Sequence, residues 1–169
     1  MKKNIFIENI NGNITSRPPV WFMRQAGRIL PSYLKLKQTY SFDEMMQNKE
    51  LAAKVTLLPL DDLGVDAGIL FSDILVIPKA LGLKLEFTAK GPKFHNALDE
   101  NINIENLKFN PQKLDYIYNN IREIKFQRPE TPLIGFCGGP LTTFLFMFRR
   151  NELNKDFNHV IKLFYKERK

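Results

Sequence analysis

The chain has 169 residues, 44% of them hydrophobic, and a net charge of +7 with 25 Lys and Arg. That length suits a single domain spanning residues 1–169, and the positive balance favours anionic partners without naming them. The one cysteine, Cys137, excludes an internal disulfide framework; the longest apolar stretches are broken by Asp73, Pro78, Lys79 or Arg149, so a soluble, cytoplasmic chain without a bilayer span is expected.

Met1-Lys2-Lys3 leads into Asn4 and Glu8 rather than into an apolar segment, which gives no secretory signal. Residues 1–19 read as a polar lead-in, with a turn signal at Asn11-Gly12-Asn13 and a stiff extended pair at Pro18-Pro19. The apolar run Val20-Trp21-Phe22-Met23 then opens Arg24-Gln25-Ala26-Gly27-Arg28. The chain is expected to be irregular around Pro31. A helix is predicted from Ser41, because Glu44 follows at the capping-box spacing. Met45, Met46, Leu51, Ala52, Val55 and Leu58 recur with helical period up to Pro59, which is expected to end the helix, and a second short helical piece runs towards Gly64.

Val65 to Phe71 is apolar apart from Asp66, the pattern of a strand buried on both faces in a parallel sheet, with Asp73 at its carboxyl end. Residues 84–95 alternate towards Gly91-Pro92 and predict a small hairpin. Pro111 to Lys125 carries Leu114, Ile117, Tyr118, Ile121 and Ile124 on one helical face. Pro132 to Cys137 predicts a second buried strand, ending in Gly138-Gly139-Pro140. A helix follows over Leu141 to Phe148, and a basic amphipathic helix closes the chain, where Arg149 to Lys169 hold seven basic and three acidic residues. Two buried strands separated by helical sequence indicate a parallel α/β arrangement. Its carboxyl ends would put Asp73 and the glycine pair on one face, where α/β barrels assemble their sites.

Each candidate has a plainer alternative. Arg24 and Arg28 can clamp an anion through planar forks of donors, or lie on the surface with their stems over apolar area. Gly27 between them favours close approach of backbone to a ligand. Asp73 can serve a site, cap the following Ile74-Leu75 segment, or do both. Gly135, Gly138 and Gly139 lack the spacing of a phosphate loop or a dinucleotide fold and are expected to make room at a strand end. His95, His159 and Cys137 make a poor zinc set, so no metal ligand is assigned, and Cys137 reads as a small buried residue. Without aromatics at base-stacking spacing, the basic tail reads as a solvated helix face rather than a nucleic-acid footprint.

Together the motifs resemble a known family. Pro19-Val-Trp-Phe-Met-Arg-Gln-Ala-Gly-Arg28, followed by Leu30-Pro31 and Tyr33, is similar to the first signature of the uroporphyrinogen decarboxylase family. Gly68-Ile-Leu-Phe-Ser-Asp-Ile-Leu75, with Pro78 and Ala80-Leu-Gly82, resembles its second signature, and Pro132-Leu-Ile-Gly-Phe136, with Gly138 and Pro140, a third. The resemblance implies an α/β fold of the (β/α)8 TIM-barrel type. It also implies removal of carbon dioxide from the four acetates of a tetrapyrrole, uroporphyrinogen, without metal or organic cofactor, by a homodimer. Arg24 and Arg28 would pair with substrate carboxylates, Gln25, Ala26 and Gly27 would line the cleft between them, and Asp73 would accept hydrogen bonds from the pyrrole NH groups.

Two departures stand out. Phe146 occupies the place of a family tyrosine that would face the substrate. A full barrel takes about 250 residues, so the chain is expected to be the N-terminal part of one, an incomplete barrel with flanking helices and a small hairpin, with little or no activity by itself. Alternatives are a non-catalytic remnant or one half of a split protein, a corrinoid-linked methyltransferase of the same fold, and a basic module that binds anions or nucleic acid.

Overall fold

The structure is a computed structural model that describes residues 4–88, 91–98, 107–148 and 158–166. It divides into two compact units. The first comprises residues up to Ser72 together with Asp115–Phe136, and the second Asp73–Leu114 together with residues from Cys137 onward.

In the first unit, α1 (Ile5–Ile10) starts where Asn4 Oδ1 accepts the Phe6 amide at 2.9 Å, so the polar lead-in contains a helix whose cap the sequence analysis passed over. The turn expected at Asn11-Gly12-Asn13 follows it, with Gly12 at a φ of 80°. Pro31 opens α2 (Pro31–Thr39) at its first turn, where the missing N–H costs nothing. The irregular stretch therefore lies before Pro31 and not around it.

Ser41 caps α3 (Phe42–Gln47) as expected, with both bonds of the capping box to Glu44 present. The continuous helical recurrence conceals a break at Asn48. This residue is extended, ends α3, and accepts the Leu51 amide at 3.0 Å to start α4 (Lys49–Leu63). Pro59 does not end α4. Leu57 before it and Leu60 after it both pack into one core with Ala53, Leu70 and Ile124, and that shared burial outweighs the lost helical bond. The helix ends at Gly64, in the left-handed conformation glycine favours.

The apolar run that follows is buried at Val65, Ala67, Leu70 and Phe71, but its ladder is only β1 (Gly68–Ile69). It pairs in parallel with β4 (Leu133–Ile134), as the sequence implied, with Gly68 opposite Leu133 and Ile69 opposite Ile134. The amphipathic segment in between begins with a short 3-10 turn, Pro111–Leu114, and continues as α6 (Asp115–Gln127). Ile117, Ile121 and Ile124 of α6 face the core shared with α4. The first unit is thus a parallel strand pair covered by helices, an α/β arrangement.

The second unit holds α5 (Val76–Ala80) and the expected hairpin of β2 (Leu85–Thr88) and β3 (Gly91–Phe94), whose turn residues 89 and 90 lie outside the described residues. It also holds α7 (Pro140–Met147) and α8 (Asn158–Lys166). Leu75, Leu83, Phe94, Ala97, Leu98 and Met147 form its core. The basic tail is described only over α8; residues 149–157 and 167–169 lie outside the described residues.

Replacing Ser41 with Ala removes the acceptor for the Glu44 amide. Its expected cost is about 1 kcal/mol, read as a lower urea midpoint at unchanged m-value.

Candidate functional site

The loop between Val20 and Arg28 is fixed from below by two residues that lead into β1. Asp66 accepts from both terminal nitrogens of Arg17 at 2.7 Å and from the Val20 amide at 2.7 Å, and its own amide donates to the Val20 carbonyl at 2.8 Å. Arg17 holds the Asp66 carboxyl below the usual aspartate range, because the ion pair favours the charged form. Next in the chain, the Ala67 carbonyl accepts from Gln25 Nε2 at 2.9 Å. Gln25 Oε1 in turn accepts from the Phe22 amide at 3.0 Å. Gln25 is 1% exposed, so its amide sits inside the loop, where it closes the turn.

The turn is tight. The Gln25 amide donates to the Phe22 carbonyl and the Gly27 amide to the Gln25 carbonyl. Arg24 adopts a φ of 61°, a left-handed conformation that costs a non-glycine residue on the order of 1 kcal/mol or more unless its surroundings fix it. A Cβ on Gly27 would meet the Arg24 carbonyl oxygen at 3.0 Å, which explains the glycine between the two arginines. Ala26 is half-buried.

Such a loop turns its polar backbone inward and its long side chains outward. Arg24 and Arg28 are both exposed, beside Trp21, Phe22, Met23 at 80% exposure and Ile29 at 77%. Cations set among exposed apolar surface suit an anionic ligand with a hydrophobic body. Behind them Tyr33 is buried, its ring 6.1 Å from that of Phe71, and Phe42 approaches Phe71 edge-on at 5.1 Å. Burial raises the Tyr33 hydroxyl above the usual tyrosine range, and the positive charge of Arg28 opposes that shift. A separate groove of 620 Å³ between α2 and α4, lined among others by Ile29, Lys35, Lys54 and Leu58, includes neither arginine.

Asp73 and Phe146 belong to the second unit, whereas Arg24, Gln25, Ala26, Gly27 and Arg28 belong to the first. Asp73 Oδ1 accepts the Leu75 amide at 2.7 Å, ahead of α5. The capping alternative therefore holds in modified form, as a turn just before the helix. Burial raises the Asp73 carboxyl above the usual range, and the Leu75 bond opposes that rise. Within this unit the segments that follow the two parallel strands touch, since a Cβ on Gly138 would lie 2.9 Å from the Ile74 carbonyl oxygen and collide with Thr143 Oγ1. Gly138 is thus a point of close approach, as its place at a strand end suggested. Phe146 is half-buried against the core around Leu75 and Met147. Cys137 is exposed, contrary to the buried role expected for it, because β4 ends at Ile134 and the chain has left the sheet before reaching it.

The same motifs mark a family. A model of uroporphyrinogen decarboxylase matches residues 1–169. The chain belongs to the uroporphyrinogen decarboxylase family. It is 40% identical to the uroporphyrinogen decarboxylase of Legionella pneumophila (strain Lens), covering 99% of this chain and 49% of that relative. It is also 40% identical to that of Hydrogenobaculum sp. (strain Y04AAS1), covering 100% and 48%, and 43% identical to that of Helicobacter pylori (strain HPAG1), covering 96% and 49%. The chain therefore spans about half the length of the curated relatives it matches. Among solved structures, a methyltransferase from Methanosarcina mazei superposes with a TM-score of 0.71 at 19% identity, over 98% of this chain and 48% of that one, which shows a shared fold.

Asp66 and Gln25 have roles in the structure that their spacing does not disclose. Besides its expected place in the cleft-lining loop, Gln25 braces that loop from inside through the Phe22 amide and the Ala67 carbonyl. Asp66 had stood out only as an interruption of an apolar run. Among the described residues no group of three or more His, Cys, Asp or Glu is arranged to hold a metal ion, and no helix is long and apolar enough to cross a membrane.

Because burial raises Asp73 in the folded state, folding favours its protonated form, so the wild type loses stability as pH rises through and above the ordinary aspartate range. Asp73→Asn keeps an acceptor for the Leu75 amide and removes that charge. Thermal melts across pH are expected to show the variant at least as stable at neutral pH, with its advantage vanishing on acidification; equal melts at every pH would contradict the assigned cause.

Proposed function

We propose that this chain contributes the anion-binding loop and the central carboxylate of a uroporphyrinogen decarboxylase, which removes carbon dioxide from the four acetate side chains of uroporphyrinogen to give coproporphyrinogen. The single observation that carries the reading is the loop, which sets two exposed guanidiniums among Trp21, Phe22, Met23 and Ile29 and anchors them to the approach to β1. A polycarboxylated macrocycle combines the negative arms and the apolar body that such a surface suits.

In this mechanism a proton adds to a pyrrole ring carbon beside an acetate arm. The resulting cation takes up the electron pair released as the carbon–carbon bond to carbon dioxide breaks. A second proton adds to the exocyclic carbon to complete the methyl group, and the proton on the ring carbon leaves to restore the pyrrole. Arg24 or Arg28 holds the reacting carboxylate, and the other binds a neighbouring arm. Asp73 stabilises the ring cation. A carboxyl that burial makes reluctant to ionise gains more from an adjacent cation than a solvated one does, so its stabilisation increases as the charge develops. Gln25, Ala26 and Gly27 form the floor of the loop, and Phe146 gives an apolar wall where a phenol would offer a hydroxyl. No step calls on a metal or an organic cofactor.

The parallel pairing of β1 and β4 supports these strands as neighbours in a (β/α)8 barrel, with residues 1–169 as one part of that domain. Coverage of about half of each relative supports a protein in which further β/α units complete the barrel, whether on the same chain or, in a second reading, on a separate one. The family resemblance implies a homodimer working in the cytoplasm.

The test is conversion of uroporphyrinogen to coproporphyrinogen, followed by separation of the oxidised porphyrins. The 169 residues alone are expected to give little or no product. Joined to the second half of the Legionella pneumophila relative, they are expected to give turnover that Asp73→Asn lowers about 100-fold while binding changes little. Rapid conversion by the 169 residues alone would refute the half-barrel reading, and unchanged turnover in Asp73→Asn would refute the electrostatic role.

A further inference from the structure

We infer that the Arg17–Asp66 pair is a positioning device for the arginine loop: it holds Val20 to Arg28 in the conformation that presents both guanidiniums. The inference rests on the reading of Arg24 and Arg28 as ligands of substrate carboxylates. Four contacts converge on Asp66. Two come from the Arg17 fork, one from the Val20 amide, and one runs from its own amide to the Val20 carbonyl. They fix the start of the loop at a residue two positions before β1. The neighbouring Ala67 carbonyl fixes the middle of the loop through Gln25. The segment leading into β1 thus carries both anchor points on consecutive residues. The β1 stretch is itself tied to the β4 stretch by the Gly68 and Leu70 amides, which donate to the Pro132 and Ile134 carbonyls at 2.9 and 3.0 Å.

The anchors matter because the loop between them is strained. Arg24 holds a left-handed φ, and a residue keeps such a conformation only when its neighbours over-determine it. If Val20 is released, the turn can relax and Arg24 can return to the extended or right-handed region, which redirects its side chain. Met23 at 80% and Phe22 at 53% exposure provide little packing to prevent this. Asp66 has 10% of its side-chain surface exposed and Arg17 has 52%, so Arg17 is the partner that meets the solvent. A planar fork that engages both carboxylate oxygens fixes orientation as well as charge, which a lysine does not do. Neither residue reaches the ligand in this account. Each acts through the loop.

The test uses the 169-residue chain and two readouts. Amide hydrogen exchange over residues 20–27 is compared with exchange in α4 and α6, in the wild type, Arg17→Met, Arg17→Lys and Asp66→Asn. Loss of one charge-assisted anchor is expected to speed exchange in the loop by about tenfold or more while α4 and α6 keep their protection, with Arg17→Lys between Arg17→Met and the wild type. Titration with uroporphyrin, the oxidised eight-carboxylate macrocycle, is expected to show weaker binding in the same order. Arg17→Met changes a half-exposed side chain, so it stays informative even where Asp66→Asn fails to fold. Unchanged loop exchange in Arg17→Met overturns the inference. Absence of uroporphyrin binding by the wild type counts against the substrate reading instead, and the exchange data then still decide for or against the device.

Discussion

Asp66 accepts three hydrogen bonds through its carboxylate and donates one through its amide, all to residues between Arg17 and Val20. A half-buried carboxylate is stable only where such bonds replace its lost water, and the bidentate arginine supplies the charge that keeps it ionised. From that residue the chain runs through Ala67 into β1, so whatever fixes the strand also fixes the loop. Through Val20 this acid anchors the start of the loop that carries both arginines of the candidate site. An exposed ion pair would contribute little, because water and salt screen it. Here one partner is sheltered and the geometry is forked, which makes the pair a constraint on conformation more than a source of stability.

The strand needs its own support, since a two-residue ladder fixes little by itself. α4 supplies it along its length. Thr56 Oγ1 accepts the Phe71 amide at 2.9 Å, giving a buried backbone donor a partner as β1 ends. Ala53 and Leu57 pack on Leu70. A Cβ on Gly68 would come within 3.5 Å of the Thr56 methyl, so the helix lies close over the strand. Pro59 is tolerated for the same reason: the helix is held by what it buries against β1 and α6, and the residues on both sides of the proline belong to that buried face. Lys49 adds a contact to Glu123 of α6 at 3.4 Å, at the open end of the helix pair.

What could be read in advance follows the range of each interaction. The capping box at Ser41 and Glu44, the hairpin around Gly91 and the amphipathic face of α6 are written within a few residues, and all three stand in the structure, except that Tyr118, expected on that face, is exposed. The parallel pairing of two distant apolar runs was also legible, from apolar sequence without alternation, although β4 is half-buried and Phe136 beyond it is exposed. The break at Asn48 was not, since the apolar period of Met45, Met46 and Leu51 runs across it unchanged. The expected stop at Pro59 failed because intrinsic propensity gave way to packing from elements far along the chain. Asp66 and Gln25 were illegible as anchors for a related reason. Their partners lie more than forty residues away, and a polar residue in an apolar run looks the same whether it is braced or merely tolerated.

Asp73 combines two opposing influences on a single carboxylate. One oxygen is engaged by the Leu75 amide, which fixes the side chain ahead of α5. That bond lowers the cost of ionisation, while burial raises it, and burial has the larger effect. A carboxylate serving only as a turn acceptor would do as well in water, where the desolvation cost is absent. Holding it half-buried sacrifices stability for a group whose charge is poorly solvated and whose direction is preset. Such a group responds strongly to a cation brought near it. The turn therefore supplies the orientation, and the burial supplies the electrostatic leverage.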